Sequence, residues 1–287
     1  MAVEVEPNSF QPIDIRKVVQ GKNPKLAGKV PGFIYNWLTR ILHLKELNAF
    51  MLQYGHLKGV EFVNEGIKFL NINYELIGTE NIPKEGKFIF VGNHPLGGLD
   101  GMIVLKYVTE ALGKTRSISN DFLLEITPLK EWFVPINKVG SQSRNYANLV
   151  EDLYKSDDQI LIFPAGLCSR KINGKIVDLT WQKHFIQKAV EHKIDIIPFF
   201  FDGRNSNFFY NLAKIRKFFR IKVNIEMMYL ADEMFKHKNK TFRIYFGKPI
   251  PYSTFNQTKR PIEWAEEVKK ITYQLPKQKA MGNNQFI

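Results

Sequence analysis

Apolar positions change their period along the chain, and the change divides it in two. Over residues 33–53, Ile34, Trp37, Leu38, Ile41, Leu44, Leu47 and Met51 recur at three- and four-residue steps, which predicts one amphipathic helix. Gly55 and Gly59 interrupt that stripe, and a shorter helix is expected over 60–70. From Asn73 onward short apolar runs alternate with helical stripes. Strands are predicted at 73–77, 87–91, 115–119, 159–163, 195–201 and 241–246, and helices at 101–112, 143–155, 180–192, 208–219 and 261–273. Such alternation predicts an α/β fold: a central mixed, mainly parallel sheet flanked by helices, with an N-terminal helical segment. The expected organisation is an extended arm over 1–31, the helical segment over 32–72, a main domain over 73–276 and a flexible tail over 277–287.

Composition narrows the setting. With 287 residues and 44% hydrophobic content, the chain is long enough for one large domain with a full core. Lys and Arg outnumber Asp and Glu 41 to 28, a formal charge of +13 that suits an anionic partner: nucleic acid, acidic lipid or acidic protein. A solvated basic surface without a specific partner gives the same numbers. Cys168 is the only cysteine, so no internal disulfide can form and a reducing compartment fits. The first residues carry neither a basic start nor an apolar core, so no signal peptide is expected. No apolar run reaches the ~18 residues of a spanning helix, so any membrane contact is expected to be peripheral.

Chemistry concentrates where one apolar run meets a glycine-rich turn. Lys87-Phe-Ile-Phe-Val-Gly92 has the pattern of a buried strand and runs into Asn93-His94-Pro95-Leu96-Gly97-Gly98-Leu99-Asp100-Gly101, after which an apolar helix begins. His94 thus leaves the carboxyl end of a strand, where open α/β sheets place their sites. Pro95 ends the strand's hydrogen bonding, Gly97 and Gly98 permit a tight return, and Asp100 falls at the helix start. A carboxylate on one imidazole nitrogen would leave the other free to take a proton from a hydroxyl. From the spacing alone, Asp100 is equally a helix N-cap and His94 a loop residue.

These residues resemble the first motif of the lysophospholipid acyltransferase superfamily, PlsC-like, with one residue more between His and Asp than the commoner form. The longer spacing is similar to the hemolysin-like branch that contains ornithine-lipid and glycine-lipid O-acyltransferases. Three further blocks follow in the family's order: Val139-Gly140-Ser141-Gln142-Ser143-Arg144-Asn145, then Phe163-Pro164-Ala165-Gly166-Leu167-Cys168-Ser169-Arg170, then Ile197-Pro198 with Asp202-Gly203-Arg204-Asn205-Ser206 behind it. The resemblance implies His94 and Asp100 as catalytic residues. It implies substrate-binding roles for Asn93, Gly97, Gly98, Gly140, Arg144, Phe163, Pro164, Gly166, Arg170 and Asn205. Neither a metal nor a bound cofactor is required. The donor it implies is an acyl thioester on acyl carrier protein, or else coenzyme A.

One departure bears on the acceptor. Glycerophospholipid enzymes of the superfamily keep Glu where this chain has Ala165, and their Arg follows the motif glycine more closely than Arg170 does. Loss of that Glu weakens the case for a glycerol-phosphate acceptor and suits an acylated amino acid, whose carboxylate Arg144 and Arg170 would grip. Surface salt bridging is the alternative for either arginine. Residues 204–222 interleave Arg204, Lys214, Arg216, Lys217, Arg220 and Lys222 with Phe208, Phe209, Leu212, Ile215, Phe218 and Phe219. Such a helix either lies on an anionic membrane, through Phe208, Phe209, Lys214, Lys217 and Arg220, or buries its apolar face and solvates the rest. Cys168 is expected to be a packing residue. No serine elbow, phosphate-binding loop or paired-histidine metal motif is present.

The expected activity is transfer of a fatty acyl group to the hydroxyl of a lyso-aminolipid, in membrane lipid biosynthesis, by an enzyme peripheral to the cytoplasmic face of the inner membrane. The rivals are a 1-acylglycerol-3-phosphate acyltransferase making phosphatidate and, from another class, a basic nucleic-acid-binding or non-catalytic lipid-binding protein. No nucleic-acid reader motif is recognisable, so no nucleic-acid partner is expected.

Overall fold

The computed structural model describes residues 12–22, 24–119, 123–124, 126–136, 143–221 and 224–282. Its N-terminal part is helical. Helices α1 (Ile15–Lys22) and α2 (Pro24–Ala27) occupy a stretch expected to be extended. The stripe that predicted one helix over 33–53 is divided into α3 (Gly32–Ile41) and α4 (Leu44–Tyr54), and α5 (Gly59–Phe69) follows. The break falls at His43, whose φ of 49° is left-handed. Its ring stacks on Phe235 with centroids 4.0 Å apart, and its Nε2 lies 3.1 Å from Asp232 Oδ1. Both partners are far off in sequence, which is why the local period does not reveal the bend.

The main domain runs β1 (Asn73–Ile77), β2 (Phe88–Gly92), α6 (Leu99–Leu112), β3 (Thr115–Ser119), β4 (Phe133–Pro135), α7 (Ser143–Lys155), β5 (Gln159–Ile162), β6 (Arg170–Ile172), β7 (Lys175–Val177), α8 (His184–His192), β8 (Asp195–Asp202), α9 (Asn207–Phe218), α10 (Leu230–Lys236), β9 (Thr241–Phe246) and α11 (Pro261–Gly282). Seven strands form one mixed, mostly parallel sheet in the order β1-β9-β8-β2-β5-β3-β4. All neighbours are parallel except β8 and β9, so β9 and β1 run against the other five. The expected α/β class is the observed one. Beyond the expected strands there are short β4 and the antiparallel hairpin β6–β7, three-residue strands too brief to show a period.

Strand β2 is buried along its whole length, as a central parallel strand covered on both faces must be. Its side chains alternate between two cores. Phe88 and Phe90 join α4, α5 and α6 through Phe50, Phe62, Ile103 and Val108. Ile89 and Val91 join α7, α8 and α11 through Leu153, Phe185, Ala265 and Val268. The sheet is thus the middle of three layers, and β2 leads out at its carboxyl edge. Helix α8 starts later than expected because the Trp181 side chain turns inward, its indole N–H donating to Asp178 Oδ2 at 2.9 Å. Helix α11 continues past Pro276 to Gly282, so part of the expected flexible tail is helical.

Candidate active site

After Gly92 the chain crosses to α6 in a loop that Asp100 organises. Asp100 is fully buried, in the first turn of α6. Its Oδ1 accepts from Gly101 N–H at 2.9 Å. Its Oδ2 accepts from Leu96 N–H at 2.9 Å, from Gly97 N–H at 3.4 Å and from His94 Nδ1 at 3.1 Å. Every neighbour is a donor, so the carboxylate form is held and His94 carries its proton on Nδ1. Gly97 has φ of 87°, and a Cβ there would fall 2.5 Å from Cys168 Sγ, so the tight return requires glycine.

The other edge of His94 is open. Its side chain is 16% exposed, and among the described residues Nε2 has no hydrogen-bond partner. Phe163 stacks on the ring, centroids 4.0 Å apart at 24°. Burial pushes the His94 pKa down, but the Asp100 charge and hydrogen bond, with Asp178 behind them, more than reverse this and the net direction is up. Burial likewise works against an ionised Asp100, yet His94 and the two backbone donors hold its pKa below the usual carboxylate value.

Sequence reasoning missed a second buried carboxylate. Asp178 follows the β6–β7 hairpin, 84 positions from His94, with no local motif to mark it. Its Oδ1 accepts from His94 N–H at 3.3 Å and from Ser169 Oγ at 2.6 Å, and Ser169 N–H donates to the His94 carbonyl at 2.8 Å. Asp178 therefore ties the His94 loop to the Phe163–Arg170 loop. Burial raises its pKa, against the hydrogen bonds from Ser169 and Trp181.

Several candidate residues have other work. Asn93 is buried, and its side chain both donates to the Phe201 carbonyl at 2.9 Å and accepts from Phe201 N–H at 2.7 Å. It extends the β2–β8 pairing, which occupies both ends of the amide. Arg170 is buried too. Its Nη1 donates to the Cys168 carbonyl at 2.7 Å, and its Nη2 to Glu226 Oε1 at 3.2 Å. Glu226 is fully buried and also receives Arg216 Nε at 2.8 Å. The expected headgroup contact at Arg170 is thus replaced by an internal ion pair, invisible in sequence because Glu226 lies 56 positions away. Pro164 is buried, its carbonyl accepting from Gln182 N–H, whereas Gly98 and Gly166 are exposed on their loops. Gly140 and the side chain of Arg144 lie outside the described residues. Asn205 is buried, and its Oδ1 accepts from His237 Nε2 at 3.3 Å. Cys168 is buried, and burial pushes its thiol up to about 12, which removes it as a nucleophile.

Helix α9 divides the membrane candidates. Phe209 is fully buried against Cys168 and Tyr210, so it is not a surface anchor. Phe208, Lys214, Lys217 and Arg220 are exposed. Ile215, Phe218 and Phe219 are exposed as well, Phe218 by 81%. Among the described residues no helix is long and apolar enough to cross a membrane.

A buried carboxylate behind a histidine whose far nitrogen is open, at the carboxyl end of a sheet strand, is the arrangement of a general base for a hydroxyl. The nearest nucleophile types do not compete, Cys168 being buried and Ser169 bonded to Asp178. Fold and site together define the class: an α/β protein with a histidine–aspartate pair that can take a proton from a hydroxyl. A family model described as Acyltransferase matches residues 17–282, and the chain belongs to that acyltransferase family. It is similar to a protein of Bacteroides thetaiotaomicron named lyso-glycine lipid O-acyltransferase, 48% identical over 92% of this chain and 97% of that one. A protein of the same name from Phocaeicola vulgatus is 46% identical over 92% of this chain and 95% of that one. Among solved structures, the 1-acyl-sn-glycerophosphate (LPA) acyltransferase PlsC from Thermotoga maritima matches with a TM-score of 0.48 and 19% identity, over 86% of this chain and 89% of that one.

Proposed function

We propose that this acyltransferase transfers a fatty acyl group from a thioester on acyl carrier protein to the hydroxyl of a lyso-glycine lipid. The observation that carries the acceptor assignment is the 48% identity to a protein of that named activity, spanning nearly all of both chains. In the reaction, His94 Nε2 takes the acceptor's hydroxyl proton as that oxygen attacks the thioester carbonyl. The C–S bond then breaks, and the imidazolium returns the proton to the departing thiolate. Asp100 holds the ring in the Nδ1–H tautomer and stabilises the imidazolium. Phe163 covers one face of the ring. Gly97 and Gly98 remain the candidate oxyanion donors within the described loop; Gly97 N–H already reaches Asp100 at 3.4 Å, which favours exposed Gly98.

The enzyme docks peripherally on the anionic inner-membrane surface. Exposed Phe218, Phe219, Ile215 and Phe208 lie among Lys214, Lys217 and Arg220, and Phe33 on α3 is 72% exposed. The formal charge of +13 suits an acidic carrier protein as donor. Purified enzyme offered acyl carrier thioester should acylate lyso-glycine lipid, and His94→Ala should lose this by ~100- to 10,000-fold with its melting temperature retained. Acylation of lysophosphatidate alone would overturn the acceptor assignment; a folded, active His94→Ala would overturn the mechanism.

A further inference from the structure

Arg170 is committed to Glu226, and the Arg144 side chain lies outside the described residues, which leaves the other cations of the described fold as candidate partners for the acceptor's anion. The carboxyl end of β8 and the start of β9 enclose a recess of about 500 Å³. Arg204, Lys240 and Arg243 line it, against one carboxylate, Asp202. Its wall is shared with the catalytic loop: a Cβ at Gly203 would fall 3.2 Å from Leu96 Cδ2, and Leu96 N–H is itself bonded to Asp100.

The recess is also electrostatically prepared. Burial, with the Lys240 charge next, lowers the His237 pKa to about 4, so at neutral pH the ring is uncharged. Lys240 Nζ lies 3.3 Å from His237 Nδ1 and donates to it, leaving Nε2–H to donate to Asn205 Oδ1. The Asn205 amide Nδ2 is buried behind this pair without a partner among the described residues, and Asn205 is not one of the residues that line the recess. The three cations are weakly engaged. Arg243 meets Glu75 at 3.0 Å, but both are more than half exposed, and such pairs hold little. Among the described residues Arg204 is bonded to the neutral Asn207. A substrate oxyanion entering the recess can displace these partners without leaving a buried charge unpaired.

We infer that this Arg204–Lys240–Arg243 recess is the site for the carboxylate of the acylated amino-acid acceptor. The assignment rests on the acceptor reading above, so the test separates the two by measuring binding without turnover. N-dodecanoylglycine and its neutral carboxamide are titrated calorimetrically, below their micelle concentrations, into the full chain and into an Arg204→Gln/Arg243→Gln variant. The wild-type chain should bind the carboxylate about tenfold or more tighter than the amide, the scale of a lost hydrogen bond to a charged group. The variant should bind both alike, at the wild-type affinity for the amide, and Lys240→Gln should reduce the preference part of the way. A variant that keeps the full preference would overturn the proposal. So would equal loss of both ligands, because a charge site must spare the amide. A variant that keeps the preference but binds 4′-phosphopantetheine more weakly would assign the recess to the donor's phosphate instead. Acyl transfer to lyso-glycine lipid, assayed separately, reports on the acceptor reading alone: an enzyme that binds the carboxylate here yet acylates only lysophosphatidate retains this site and loses that reading.

Discussion

Replacing Asp100 by Asn probes the site with one atom. All of the carboxylate's partners donate: His94 and the amides of Leu96 and Gly97 to Oδ2, and Gly101 N–H to Oδ1. A carboxamide has only one accepting end. If its oxygen keeps the Oδ2 position, the NH2 faces Gly101 N–H. If it flips, the NH2 faces His94 Nδ1 and forces the proton onto Nε2, which can then no longer serve as a base. Either orientation leaves a buried donor opposed, at a cost of about 1–3 kcal/mol, and neither supplies charge to the imidazolium. The same substitution in a Ser-His-Asp triad lowers kcat by roughly 10⁴ through the wrong tautomer, and a loss of about 10³–10⁴ is expected here. The pH profile adds a sign. Since neutral His94 is the active form, kcat/KM rises with pH through its pKa. The Asp100 charge holds that pKa up, so in Asp100→Asn the acidic limb should move to lower pH while the plateau drops. The measurement is kcat/KM against pH with acyl carrier thioester and lyso-lipid, alongside the melting temperature. A plateau within a few-fold of wild type and an unmoved limb would refute the reasoning and leave Asp100 as a helix cap.

Three further outcomes are expected. Glu226→Gln leaves buried Arg170 and partly buried Arg216 beside a neutral amide, so unfolding free energy should fall by about 3–5 kcal/mol, read as a lower urea midpoint with unchanged slope; an unshifted midpoint would show that the pair is dispensable. Gly97→Ala, which must strain a φ of 87° and push on Cys168 Sγ, should lower both stability and kcat, whereas Gly166→Ala, strained but with open space around it, should cost stability alone; equal kcat in the two would argue against the loop's shape mattering. Phe218→Ser with Phe219→Ser should reduce flotation with anionic vesicles, and high salt should release the wild type, since each basic residue near such a surface contributes about 1 kcal/mol that salt screens; equal binding to neutral and anionic vesicles would make α9 a solvated face.

The sheet was legible in the chain because its strands are locally coded. Runs such as Phe88–Gly92 and 196–201 are continuous apolar stretches that suit a strand covered on both faces. The turn from His94 to Asp100 was legible for the same reason, with proline, glycines and helix start all falling within nine residues of Asn93. Family membership followed from four such local blocks in order. What the chain by itself could not disclose are the pairings between distant positions. The period through His43 is unbroken, and the bend there comes from Phe235 and Asp232. Phe208 and Phe209 are adjacent and alike, yet one is open and the other buried against Cys168, because only packing decides which side of α9 faces the core. Arg170 carries the charge to grip a carboxylate, but Glu226 reaches it first. Asp178 has no motif and nevertheless anchors His94. Local sequence sets backbone preference and the pattern of burial, whereas the partner of a buried charge is set by which distant segment the closed fold brings against it.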